Sequence, residues 1–173
     1  MAHSATMHWK IDPVQSLNGL SRSIKNKAMR IALNAGASAV KQAVISSAPK
    51  DEGHLSKATT IKVYNPGGGK AKDSNVWIAV VGAGSKYKKL KKTKNRKTGK
   101  SKVVYRKDKK TGEKKKVYIR PAKYQHFVDA GTKNMTARKY LPAAWSRSKA
   151  QFEQTVMRKL QEIIPQLMQQ NRR

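Results

Sequence analysis

The sequence predicts an α+β fold, with a short, mostly antiparallel sheet packed against two long helices and an inserted basic β-hairpin arm. Three observations predict it. Two long stretches repeat apolar residues at steps of three and four, the period of an amphipathic helix. Shorter stretches between them are rich in β-branched and aromatic residues, which suit strands. One segment gathers lysine at a density that suits a solvated arm and not a core.

The elements follow in order. Residues 1–16 read as an irregular N-terminal arm, with Trp9 and Ile11 as candidate anchors and Asp12-Pro13 starting a turn. From about Leu17 to Ala48, the positions Leu17, Leu20, Ile24, Ala28, Ile31, Ala35, Ala39 and Ala43 predict one face of a long helix. Pro49 ends it by pushing the preceding residue out of the α region. Lys50 to Gly53 form a loop, and Leu55 to Tyr64 read as a strand with Ile61 and Val63 on one face. Asn65-Pro66 and the glycines 67–69 make a turn. The apolar run from Val76 to Gly82 is the strongest strand signal, placed centrally with both faces covered.

Lys123 to Ala130 predict a short helix or turn closed by Gly131. Leu141-Pro142 open a final helix from about Ala143 to Ile164, whose core candidates are Trp145, Phe152, Val156, Leu160, Ile163 and Ile164. Pro165 breaks or kinks it. The organisation is then one core from 17–85 and 121–165, a basic arm at 86–120, and a polar tail at 166–173.

Charge is the strongest compositional signal. The chain of 173 residues has 39 Lys and Arg against 9 Asp and Glu, a net charge of +30. Residues 86–120 alone hold 18 Lys and Arg against Asp108 and Glu113, net +16. An anionic partner is the first inference, either nucleic acid or an acidic protein surface. The candidate contacts are Lys88, Lys89, Lys91, Lys92, Lys94, Arg96, Lys97, Lys100, Lys102, Arg106, Lys107, Lys109, Lys110, Lys114, Lys115 and Lys116.

The arm has internal order. Lys97-Thr98-Gly99 and Lys110-Thr111-Gly112 recur at a spacing of thirteen residues, and apolar patches at Val103-Val104-Tyr105 and Val117-Tyr118-Ile119 follow them. Glycine in a short polar loop supplies the positive φ of a bulged hairpin. Two turns are therefore predicted, near Asn95–Gly99 and Asp108–Gly112, linking up to three strands. Tyr87, Tyr105 and Tyr118 read as strand-packing residues in preference to base-stacking ones.

The same residues weigh against an enzyme. The four histidines are scattered, and no pair of carboxylates falls convincingly on one helix face. Gly67-Gly68-Gly69-Lys70 lacks the strand and helix context of a phosphate-binding loop. No catalytic, metal-binding or cofactor-binding residue is predicted. Cysteine is absent, which excludes disulfides and fits a reducing cytosol. No stretch approaches the roughly 20 apolar residues of a membrane span, and the N-terminus lacks a secretory signal's apolar region.

Three fragments in fixed order carry a resemblance. The first is Ala48-Pro49 followed by Gly53-His54-Leu55-Ser56. The second runs from Tyr124 through Phe127 and Asp129 to Gly131-Thr132, and the third is Ala137-Arg138-Lys139-Tyr140-Leu141-Pro142-Ala143-Ala144. Together they resemble the tail-completion and head–tail joining proteins of long-tailed bacteriophages. The resemblance spans roughly Ile31–Gly84 and Tyr124–Ile164 and leaves the arm unexplained. The chain departs from the family pattern at Glu52, Asp129 and Lys139-Tyr140, where Thr, Glu and Pro-Phe are common. Its motif positions are Pro49, Gly53, Leu55, Tyr124, Phe127, Asp129, Gly131, Thr132, Leu141 and Pro142, expected to act as fold determinants. Asp129 is expected to pair with a lysine, within the subunit or across a subunit boundary.

The resemblance implies a virion protein of the tail or neck, present in the host cytoplasm during assembly. It implies a homo-oligomeric ring, commonly six-fold, between the head connector and the tail tube. Its partners would be itself, the neighbouring connector and tube proteins, and genomic DNA in the channel, with no membrane. The arm would line that channel or clamp an acidic surface nearby. The alternative is a small basic nucleic-acid-binding protein without sequence specificity, supported by charge alone. A cationic membrane-surface protein ranks last, because the first helix has an alanine-rich, weakly apolar face.

Overall fold

The computed structural model describes residues 21–50, 53–66, 76–94, 101–108 and 111–170. The expected N-terminal arm, the glycine run at 67–69 and the turn at 95–99 lie outside the described residues.

Helix α1 (Arg22–Ser47) starts behind Ser21, whose hydroxyl accepts from the Ile24 N–H, and ends at Ala48, where ψ turns to 140° ahead of Pro49. Helix α2 (His54–Ala58) leads directly into strand β1 (Thr59–Tyr64). Strand β2 (Ile78–Ala83) pairs with β1 antiparallel, from Thr59 opposite Ala83 to Tyr64 opposite Ile78. After the arm come α3 (Pro121–Ala130), with Pro121 buried in its first turn, and α4 (Tyr140–Gln170). The expected class is what the chain adopts: two long packed helices, short antiparallel sheets and a basic hairpin arm. Among the described residues no helix is long and apolar enough to cross a membrane.

The two long helices run antiparallel, since Arg147 near the start of α4 donates to Ser47 Oγ at the end of α1, at 2.8 Å. Their closest approach is at Gly36, where an added Cβ would lie 2.6 Å from Val156 Cγ2 and 3.0 Å from the Phe152 ring. The core gathers Met29, Leu33, Val40 and Val44 of α1 with Phe152, Val156, Leu160, Ile163 and Leu167 of α4. Burial of each large side chain contributes about 1.5–3 kcal/mol. Ile61, Val63, Trp77, Ala79 and Val81 of the sheet region pack against the same cluster.

Several expectations are corrected. The buried face of α1 is Ala28, Met29, Ala32, Leu33, Gly36, Ala37, Val40 and Val44, while Ile31 is 40% exposed. Alanines surround this helix, so steps of three and four fit more than one face. Residues 54–58 form a helical turn where a strand was expected, because Leu55 and Ala58, three apart, both point inward. Strand β2 is not central: its described sheet has two strands and Val80 is 46% exposed.

Helix α4 starts at Tyr140, three residues early, with Pro142 in its first turn, where proline is tolerated. It also continues through Pro165 to Gln170, so residues 166–170 are helix and not tail. Pro165 lies on the exposed face, where water can satisfy the carbonyl it frees, while buried Ile163 and Leu167 hold the helix on either side.

Candidate functional site

The second and third resembling fragments meet through one buried carboxylate. Asp129, 4% exposed, accepts from the Leu141 N–H at 2.9 Å and so caps the first turn of α4. The first N–H groups of a helix have no partner inside it, and a carboxylate there also complements the helix dipole. Asp129 therefore serves a backbone N–H, and among the described residues of its own subunit no lysine is seen paired with it. Its carbonyl accepts from the Lys139 N–H, and Val128 O from Arg138 N, so the loop is sewn back onto α3. Lys139 takes a positive φ of 43° in making the turn into α4.

Gly131 is required on two counts. Its φ is 81°, and a Cβ would lie 2.7 Å from Ala137 N and 2.8 Å from Met135 O. Thr132 and Met135 close the intervening loop with a pair of backbone hydrogen bonds. Tyr140 is buried, and that burial, with the Asp129 carboxylate beside it, holds its phenol above the ordinary tyrosine range. Leu141 is half-buried against the core, and Pro142 is exposed. Phe127 departs from the expectation: it is 48% exposed against His126, with ring centroids 3.9 Å apart, while Tyr124 three residues earlier packs on the core. A short helix on a surface buries only one stripe, and Val128 takes the place beside Tyr124.

The first fragment joins the second at an open groove of about 300 Å³ lined by Pro49, Gly53, His54, Leu55, Ile119, Tyr124 and Val128. Buried His54 faces the hydroxyl of Tyr87 across 3.2 Å, tying the core to the start of the arm. Gln125 of α3 accepts from the Ala83 N–H at the end of β2.

From there the chain enters the arm, which is built differently from the expected three strands. Among its described residues there are six short strands in three separate ladders. β3 (Lys89–Leu90) pairs with β8 (Tyr118–Ile119) and closes the base. β4 (Lys92–Lys94) pairs with β5 (Ser101–Val103), and β6 (Tyr105–Lys107) with β7 (Lys114–Lys116). The three ladders meet at single residues whose backbones form a closed ring of hydrogen bonds. Lys91 N donates to Val117 O at 2.9 Å, Val117 N to Val104 O at 3.0 Å, and Val104 N to Lys91 O at 2.9 Å.

Those junction residues are thirteen apart, the spacing already present in the sequence as Lys-Thr-Gly. The two hairpins share one register: Lys92 opposes Val103 as Tyr105 opposes Lys116. In the second turn Gly112 has φ 71°, as expected, and its N–H bonds to Asp108 O. The apolar patches therefore sit at the junction and not along continuous strands. Val103, Val104 and Val117 are half-buried there, whereas Tyr105 and Tyr118 are 52% and 42% exposed and do not pack as expected.

Of the predicted contact residues, Lys88, Lys89, Lys91, Lys92, Lys102, Arg106, Lys107, Lys114, Lys115 and Lys116 are all exposed. Arg96, Lys97, Lys100, Lys109 and Lys110 lie outside the described residues, and Lys94 is placed by its backbone in β4. Lys115 pairs with Asp108 at 2.6 Å. Sequence reasoning missed the junction, although Val104-Tyr105 and Val117-Tyr118 repeat at the same thirteen-residue spacing. It also missed Ile119 and Val128 in the groove, since nothing local marks them. Among the described residues no group of three His, Asp or Glu side chains gathers as a metal site. Comparison with protein-family models, curated proteins and solved structures finds no match for this chain.

Proposed function

We propose that this chain is a structural protein of a tailed bacteriophage virion, forming a homo-oligomeric ring at the head–tail junction. There it joins the tail tube to the head connector and lets DNA pass, with the arm projecting toward an anionic neighbour. The observation that carries the reading is the Asp129 cap on Leu141. It gives the second and third fragments of the resemblance a joint structural reason, and the first fragment shares a groove with the second. Ring subunits associate through heterologous surfaces that close on themselves.

Quantitative mass spectrometry of purified particles tests this, with DNA-filled heads separated from free tails. A low, ring-like copy number at the junction or in the tail fraction is expected. A second reading, a nucleic-acid-binding protein without sequence preference, is favoured by the exposed cations of the arm. Absence from particles, with recovery on host nucleic acid, would select it.

A further inference from the structure

The β6–β7 hairpin has two unlike faces. Side chains alternate along a strand, and residues opposed across a ladder share a face. Tyr105, Lys107, Lys114 and Lys116 therefore lie on one face, and Arg106 and Lys115 on the other. Asp108 is bonded to Lys115, so the second face carries its own counter-charge. The first face has three exposed lysines and a tyrosine 52% exposed. Lys107 stands directly opposite Lys114, an arrangement of like charges that weakens a ladder unless an anion lies over it.

We propose that the Tyr105, Lys107, Lys114 and Lys116 face binds the phosphate backbone of double-stranded DNA. Lysine is depleted at the centre of protein interfaces, which rely on apolar anchors, and three of the four residues on this face are lysines. Phosphate contacts, in contrast, are made by lysines and by hydroxyls such as that of tyrosine, and ask for no fixed geometry. Same-face residues two apart along a strand are about 6.6–6.8 Å apart and strands are about 4.8 Å apart, so the three lysines are rooted close enough to meet one stretch of phosphates. The choice of DNA among phosphate polymers rests on the neck reading above, whose own test is presence in particles and is independent of binding in solution.

The test uses the full chain and a DNA duplex of about 30 base pairs, roughly three helical turns. Affinity is measured between about 50 and 200 mM salt. The combined substitutions K107Q, K114Q and K116Q are expected to reduce the salt slope by about 2.7 and the affinity near 0.1 M by on the order of 100-fold. R106Q with K115Q is expected to cost less than about 10-fold. Hydrogen exchange at 105–107 and 114–116 should slow when DNA binds, and circular dichroism should show unchanged helix in both variants. Equal losses in the two variants, or none in the first, would overturn the assignment. So would stronger binding to polyglutamate, which would make the partner a protein, or to an RNA duplex of the same length, which would reject DNA as the source of the phosphate.

Discussion

The helical core and the basic arm reach order by opposite means. In the core, sixteen buried apolar residues among those described form one cluster, and the helices approach so closely at Gly36 that a methyl group would not fit. In the arm no described residue is buried, and order comes from backbone ladders and the ring of hydrogen bonds through Lys91, Val104 and Val117. Apolar side-chain packing is not screened by salt. A lattice of like charges is not, because repulsion among exposed lysines is screened within about 10 Å at 0.1 M salt. The comparison teaches that one chain can hold a scaffold whose stability is internal and an arm whose stability depends on what surrounds it.

The largest effect should come from the core. Phe152→Ala is expected to cost about 3–5 kcal/mol, read as a lower denaturation midpoint with unchanged slope. A cost below about 1 kcal/mol would mean that the helix crossing is not what holds the scaffold. Gly131→Ala should follow at about 1–3 kcal/mol, because positive φ and backbone crowding act together. Asp129→Ala should cost about 1–2 kcal/mol through loss of the cap, with Asp129→Asn recovering part of it by keeping an acceptor. If Asn and Ala behaved alike, the carboxylate would owe its place to something other than the Leu141 N–H.

The pH dependence sharpens the contrast further. The Tyr140 phenol is raised in the folded chain, so its contribution is whole below the ordinary tyrosine value of about 10. It is lost as pH climbs above that value, where the unfolded chain releases the proton first. Tyr140→Phe should flatten the alkaline fall in stability relative to the parent. The smallest effect on the core should come from removing the arm. Deleting Leu90–Val117 is expected to leave helicity intact and shift core stability by less than about 1 kcal/mol, since Leu90 lies opposite Tyr118 and the residues to be joined, Lys89 and Tyr118, are already neighbours. Lost helicity would show that the two regions stand or fall together.

Much of this could be read along the chain. The four-residue steps from Phe152 to Leu160, the end of α1 before Pro49 and the thirteen-residue repeat are local patterns with local causes. What could not be read was decided across space. Alanines on every side of α1 leave its inward face to be chosen by α4 and the sheet. Pro165 looks like a stop until Leu167 finds the core beyond it. Asp129 looks like a partner for lysine until the turn at Lys139 brings the Leu141 N–H to it. The repeat announces two hairpins, yet nothing in its period says that three single residues close a ring. The sequence by itself determined the composition of each region, its periodicity and its charge, because these are properties of neighbours in the chain. Only the tertiary structure decided which face is buried, which acid caps which helix and how the arm is joined, because those depend on groups a dozen or more residues apart competing for the same place.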